Sequence, residues 1–220
     1  MTQAHESPAA LPRDRGPWRV VGHFIFWCAL FAVALALDPI VPKHLRESGF
    51  ASRFERSMVA AVFRFGGQFW VTFGIALLIY FLHPWRWRGS VLVLLAGIVS
   101  GLNGLVKWMV GRYRPFKYPG RAGELLPFSI SLFPNGLRPH VAANQCFPSG
   151  HAALAFATAA MLSILMPRVG WRVVFYVIAS LVAAERVLEN AHYPSDVVAG
   201  ALLGTVGAKL VYRICVWVTR

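Results

Sequence analysis

Acidic residues are scarce in this chain. Nine Asp and Glu stand against 22 Lys and Arg among 220 residues, and charged residues together make up only 14%. A soluble domain of this size carries roughly a quarter, so an ordinary water-facing surface is excluded. Cysteine is rare too. Cys28, Cys146 and Cys215 are far apart and two of them fall in apolar segments, which argues against an intramolecular disulfide and leaves the redox compartment open. No group of His, Cys, Asp and Glu has metal-ligand spacing, so neither metal nor cofactor is expected. Internal repeats, low-complexity tracts and a linker between two cores are all missing, which points to a single domain. A net charge of +13 raises the question of nucleic acid. The basic residues lie scattered in loops, with no stripe of interleaved aromatics, so anionic lipid head groups are the expected partners instead.

What the chain does have is apolar sequence. Hydrophobic residues make up 57% and the mean hydropathy is +0.54, gathered into long runs of the membrane type. Residues 1–18 are polar and rich in Pro and Arg, and read as a disordered tail; 19–220 read as one transmembrane domain. Six apolar segments, at 20–37, 67–82, 91–110, 150–166, 172–189 and 196–217, predict an all-α six-helix membrane bundle. Residues 20–37 follow Arg13, Arg15 and Arg19 and end in Ala34-Leu35-Ala36, so a cleaved signal peptide is the alternative to a retained span. Residues 39–66 mix Arg53, Arg56, Met58 and Phe63 and predict an interfacial amphipathic helix. Gly97/Gly101 and Gly200/Gly204 form two GxxxG pairs, read equally well as close-packing sites or as glycine usage common in membrane helices.

Three polar blocks interrupt the apolar ends: Lys107 with Arg114-Pro115, then Pro148-Ser149-Gly150-His151, then Arg186 with His192 and Asp196. The first two are joined by the long loop 111–149, and two predicted spans separate the second from the third, so all three meet at one membrane face. Arg13, Arg15, Arg19, Arg86, Arg88, Arg168, Arg172, Arg213 and Arg220 fall on the opposite face, mostly in short loops or tails. Their density places that face inside and the blocks at the outer, periplasmic surface.

Each block has its own chemistry. Lys107 and Arg114 are seven residues apart, close to two helical turns, which puts them on one side of a helix end and points Arg112 elsewhere. Ser149 is an N-cap, Gly150 allows close backbone approach, and His151 lies in the first turn of a helix whose N-terminus favours anions. Arg186 closes a span, and Asp196 stands within reach of His192, where it fixes the tautomer and frees the other ring nitrogen for attack. Taken singly, the blocks read as well as snorkelling anchors, a capped helix and an interfacial salt bridge. Together they suit a phosphate ester and its transfer to a nucleophile.

With these residues the chain resembles the type 2 phosphatidic acid phosphatase (PAP2) superfamily, whose pattern is K-x6-RP, PSGH and SR-x5-H-x3-D. Ten of its eleven motif residues occur in order, and the likeness covers about residues 60–217. The departure is Glu185, where the family usually has serine; it either pairs with Arg186 or faces away. The resemblance implies a bacterial inner-membrane phosphatase with His192 as nucleophile, Asp196 orienting it and His151 protonating the leaving oxygen. Lys107, Arg114, Arg186, Ser149 and Gly150 would hold the phosphoryl oxygens, without a metal. It also implies a lipid phosphate or pyrophosphate substrate: undecaprenyl pyrophosphate, phosphatidylglycerol phosphate, phosphatidic acid or lipid A. The alternatives are transfer of the phosphoryl group to a second lipid and a non-catalytic protein that keeps the anion site. Soluble haloperoxidases share the blocks but not the six apolar spans.

Overall fold

The computed structural model describes residues 17–110, 112, 114–117 and 146–218. Among these the chain is all-helical, in agreement with the sequence. The helices are α1 (Pro17–Leu37), α2 (Val41–Glu47), α3 (Phe50–Glu55), α4 (Met58–Gly66), α5 (Phe69–Leu82), α6 (Arg86–Gly101), α7 (Asn103–Met109), α8 (Gly150–Leu165), α9 (Val169–Leu188) and α10 (Pro194–Val218). A short 3₁₀ turn covers Pro115–Lys117. The expected tail overlaps the described residues only at its last two positions, where α1 has begun; most of the loop 111–149 lies outside them.

Three helical stretches are long and apolar enough to cross a bilayer: Val21–Glu47, Arg86–Lys107 and Pro194–Val218. The pair α4 and α5, bent by 64°, makes a fourth if it counts as one span. Of the two remaining expected spans, α8 is apolar but only 16 residues long, and every stretch of α9 long enough to span carries Arg172, Glu185 and Arg186. Many large apolar side chains face outward, with Phe24, Trp70, Phe81, Leu82 and Trp217 all exposed, as lipid-facing surfaces require. Residues 39–66 form three short helices where the sequence predicted one. Gly49, in the left-handed region at φ 65°, separates α2 from α3, and Ser57 caps α4 by accepting from the Ala60 N–H at 3.1 Å.

The centre of the bundle is α8. Its alanine-rich face (Ala152, Ala153, Ala157, Ala160) and Met161 are fully or almost fully buried, and α6, α9 and α10 pack around it. Lipid offers no hydrophobic drive for such contacts, so close approach of small residues has to supply the packing. Gly200 and Gly204 provide it on α10. A Cβ at Gly200 would stand 2.4 Å from the Ser149 carbonyl oxygen, and one at Gly204 2.0 Å from that of Ala153. The close-packing reading therefore holds for this pair. For Gly97/Gly101 it holds only in part, because a Cβ at Gly101 would meet nothing within 4 Å. Polar ties add register: Thr72 and Thr158 share a hydrogen bond of 3.0 Å, and the Ser90 hydroxyl donates to the Ala76 carbonyl at 2.7 Å. Gly204→Ala should force α8 and α10 apart and lower stability by about 1–3 kcal/mol, read as a lower Tm in detergent than wild type.

Candidate active site

The ends of α7, α8, α9 and α10 bring the three blocks together, and local backbone chemistry explains how. At the close of α9, Asn190 adopts φ 60°, the left-handed conformation that asparagine tolerates at a helix end. The Ala191 and His192 N–H groups then both turn back onto the Arg186 carbonyl at 3.1 Å, which folds His192 under the bundle. Pro194 opens α10, where a missing N–H costs nothing. Asp196, in its first turn, reaches back to accept the Tyr193 N–H at 2.9 Å, the carboxylate half of a capping box. The second block docks on the third through the Ser149 N–H, which donates to the Asp196 carbonyl at 2.9 Å. The Ser149 hydroxyl accepts from the Ala152 N–H at 3.5 Å and caps α8, as its sequence position implied.

His192 is buried, with its Nδ1 3.5 Å from Asp196 Oδ2, long for a hydrogen bond. That oxygen is shared, since the Cys146 thiol donates to it at 2.7 Å beside the Tyr193 N–H. Burial holds the His192 imidazole below its ordinary pKa; Asp196 opposes this, while Lys107 and Arg114 add to it. His151, in the first turn of α8, feels Arg186, His192, Lys107 and Arg114 together. Lys107 Nζ lies 3.9 Å from where a Cβ on Gly150 would sit. All eight site residues read from the sequence thus fall within one region. The helical argument for Lys107 and Arg114 fails, however: α7 ends at Met109 and Val110 is extended, so Arg114 arrives by a loop.

That early ending also redirects Arg112, which the helical spacing turned away from the site. Its side chain is 1% exposed and donates to Asp196 Oδ1 at 2.5 Å, to Asp38 Oδ2 at 2.6 Å and to the Ser195 hydroxyl at 2.7 Å. The guanidinium lies 4.0 Å from the centre of the Tyr193 ring. Two signals for this were in the sequence: Gly111 as a helix stop, and Asp38 as an isolated carboxylate at the end of an apolar run. Gly67, between α4 and α5, also went unnoticed. A Cβ there would come within 2.5 Å of the His151 ring, so the break in that helix pair lets His151 seat against backbone.

Glu185 takes the pairing alternative. It is 1% exposed and engages Arg186 through both carboxylate oxygens, at Nε and Nη2. Glu189 Oε2 accepts from Arg186 Nη2 at 2.5 Å, and Arg64 of α4 pairs with Glu189 and stands 3.7 Å from Glu185. Two carboxylates and two guanidiniums thus neutralise one another, and an anion arriving at Arg186 has to compete with them.

Among the described residues, Cys146, His192 and Asp196 offer donor atoms within 4.8 Å of one another. Burial and the Asp196 charge push the Cys146 thiol well above its ordinary pKa, so it stays protonated, and Asp196 is already paired with Arg112. A cleft of about 880 Å³ runs along α1, α9 and α10, and its Ala183 and Val197 end adjoins the site.

Helices of spanning length, with a cluster of cationic and histidine side chains at their ends, define a helical membrane protein. The PAP2 superfamily model matches residues 87–220, and the chain belongs to that superfamily. The lipid A 1-phosphatase of Rhizobium etli is 33% identical over 132 residues, covering 59% of this chain and 52% of that protein. The bacitracin transport permease protein BcrC of Bacillus licheniformis is 26% identical over 163 residues, covering 72% of each. The chain spans about half the length of the two Rhizobium lipid A 1-phosphatases it matches. The fold is similar to that of a transmembrane PAP2-type phosphatidylglycerolphosphate phosphatase from Bacillus subtilis, with TM-score 0.58 and 21% identity, covering 90% of this chain and 96% of that one.

Replacing Glu185 by Gln should leave Arg186 more available to an anion. The competitive Ki of inorganic phosphate is expected to fall by about 3- to 10-fold, the scale of one charged hydrogen bond, and a substrate titration with added phosphate measures it.

Proposed function

We propose that the protein is a bacterial inner-membrane phosphatase that hydrolyses a lipid phosphate or pyrophosphate through a phosphohistidine. The observation that carries this reading is the convergence on Asp196. Its carboxylate meets Arg112, five residues past Lys107 in the first block, and faces His192, while its carbonyl takes the Ser149 N–H of the second. One nucleophile, one second imidazole and a set of cations therefore share a site, and phosphoryl transfer needs little else beyond positioning and charge stabilisation.

In this mechanism Lys107, Arg114 and Arg186, with the Ser149 and Gly150 end of α8, hold the phosphoryl oxygens. Nδ1 of His192 faces Asp196, which leaves Nε2 to attack phosphorus. As the P–N bond forms, the P–O bond to the leaving group breaks, and that oxygen takes a proton from His151. Water then attacks the phosphohistidine, its proton passes to His151, and inorganic phosphate leaves with His192 restored. No step calls on a metal. The substrate is an amphiphile: the site lies at helix ends, beside a cleft open along the bundle, so a head group can enter while its tail stays in lipid. The names of the relatives, a lipid A 1-phosphatase and a phosphatidylglycerolphosphate phosphatase, support the same class. Arginine density in the opposite short loops favours the periplasmic side for the site.

The direct test is phosphate release from a panel of lipid phosphates and pyrophosphates by the purified protein, without an acceptor lipid. Release is expected to persist in excess EDTA and to vanish in His192→Ala. Full activity in that variant would overturn the nucleophile, and release only after adding a second lipid would make the protein a phosphotransferase. The pH profile is a separate check. His192 must be neutral to attack, and burial holds its pKa below the usual imidazole value, so its neutral form persists as pH falls. The acid limb of kcat/KM should therefore lie below the usual imidazole range. An acid limb above that range would contradict the assignment.

A further inference from the structure

We propose that Asp38, at the end of α1, is a positioning residue for the reaction, acting through Arg112 to fix the carboxylate of Asp196 against His192. The inference rests on the phosphohistidine reading. It adds a residue outside the 87–220 region that defines the family, and it makes α1 part of the catalytic apparatus.

The geometry is a closed network. Asp38 Oδ2 accepts from Arg112 Nη2 at 2.6 Å, and the other arm of the same guanidinium serves Asp196 Oδ1 at 2.5 Å. Ser195 closes the ring: its N–H donates to Asp38 Oδ1 at 3.0 Å and its hydroxyl to Asp38 Oδ2 at 2.5 Å. It also accepts from Arg112 Nη1 at 2.7 Å. No member is more than 2% exposed, so water cannot stand in for a lost partner.

Two physical needs are met at once. The first is orientation. The terminal torsion of an aspartate is soft, and Oδ2 of Asp196 already answers to the Tyr193 N–H, the Cys146 thiol and His192. A bond at Oδ1 fixes the carboxylate plane. That bond comes from a long, flexible arginine, which gains a defined place from Asp38 at its other arm. The second need is charge. Arg112 alone would cancel Asp196, leaving His192 to Lys107 on α7, Arg114 in the loop after it and His151 on α8, with Cys146 contributing only a neutral thiol. A second carboxylate on Arg112 leaves the buried group net negative, and that favours the positive charge the His192 ring gains as its Nε2 bonds to phosphorus.

The experiment compares Asp38→Asn, Arg112→Lys and His192→Ala with wild type in detergent. It uses dioctanoyl phosphatidic acid and farnesyl pyrophosphate as probes and counts only protein that elutes as a single folded species. Asp38→Asn is expected to lower kcat about 10- to 100-fold, the cost of a small misplacement. KM and the Ki of inorganic phosphate should stay within about threefold, because the phosphate-holding groups are untouched. Its acid limb should move to lower pH. Arg112→Lys keeps the charge and loses the fork, so kcat should fall with the limb near its wild-type place. If Asp38→Asn does not fold, Arg112→Lys alone decides, by the same kcat criterion. Wild-type kcat in the folded variants, or a rise in KM at constant kcat, would overturn the proposal while an inactive His192→Ala leaves the phosphatase reading standing. An active His192→Ala would remove both.

Discussion

A carboxylate sealed away from water must be fully paired, and Asp196 meets that demand by drawing four groups from three chain segments to one point. Arg112 reaches it from the end of α7, the Cys146 thiol from the segment before α8, the Tyr193 N–H from its own helix start, and His192 from the turn after α9. Breaking such a buried pair on one side costs far more than forming it gains. The carboxylate therefore fixes where each segment can sit. The proposed catalytic centre and the meeting point of the helices are, in this protein, the same few atoms.

The scarcity of acidic residues takes on meaning here. Of the nine in the chain, Asp38 and Asp196 share Arg112, and Glu185 and Glu189 share Arg186 and Arg64. These carboxylates neutralise arginines inside the bundle and do not decorate a surface. The effect differs between the two clusters. Around Arg112 the balance leaves negative charge beside a histidine. Around Arg186 it offsets a cation that the family pattern assigns to phosphate, so Glu185 weakens what serine would leave free.

Much of this was legible in the sequence. Apolar runs marked α1, α5, α8, α9 and α10 to within a few residues, the run 91–110 took in parts of both α6 and α7, and the three blocks named residues that the fold does gather. What failed were inferences that extended a helix past its end. Reading Lys107 to Arg114 as one helical face turned Arg112 outward, whereas α7 stops at Met109 and Arg112 points into the core. The network with Asp38 was beyond the sequence because its members stand as far as 158 positions apart, and only the packing of α1 on α10 brings them together. Glu185 was visible as a departure, but its orientation depended on Arg64, a residue in a segment read only as interfacial.

The bend between α4 and α5 bears on the bilayer itself. At 1.5 Å per residue, the 14 residues of α5 extend about 21 Å, well short of a hydrocarbon core of about 30 Å. The 16 residues of α8 reach about 24 Å. Lipid beside α5 has to thin to match it, and α5 starts two residues after Gly67, against which the His151 ring sits. For the lipid phosphate substrate proposed above, a head-group layer drawn down along this flank would bring the phosphate to the depth of His151.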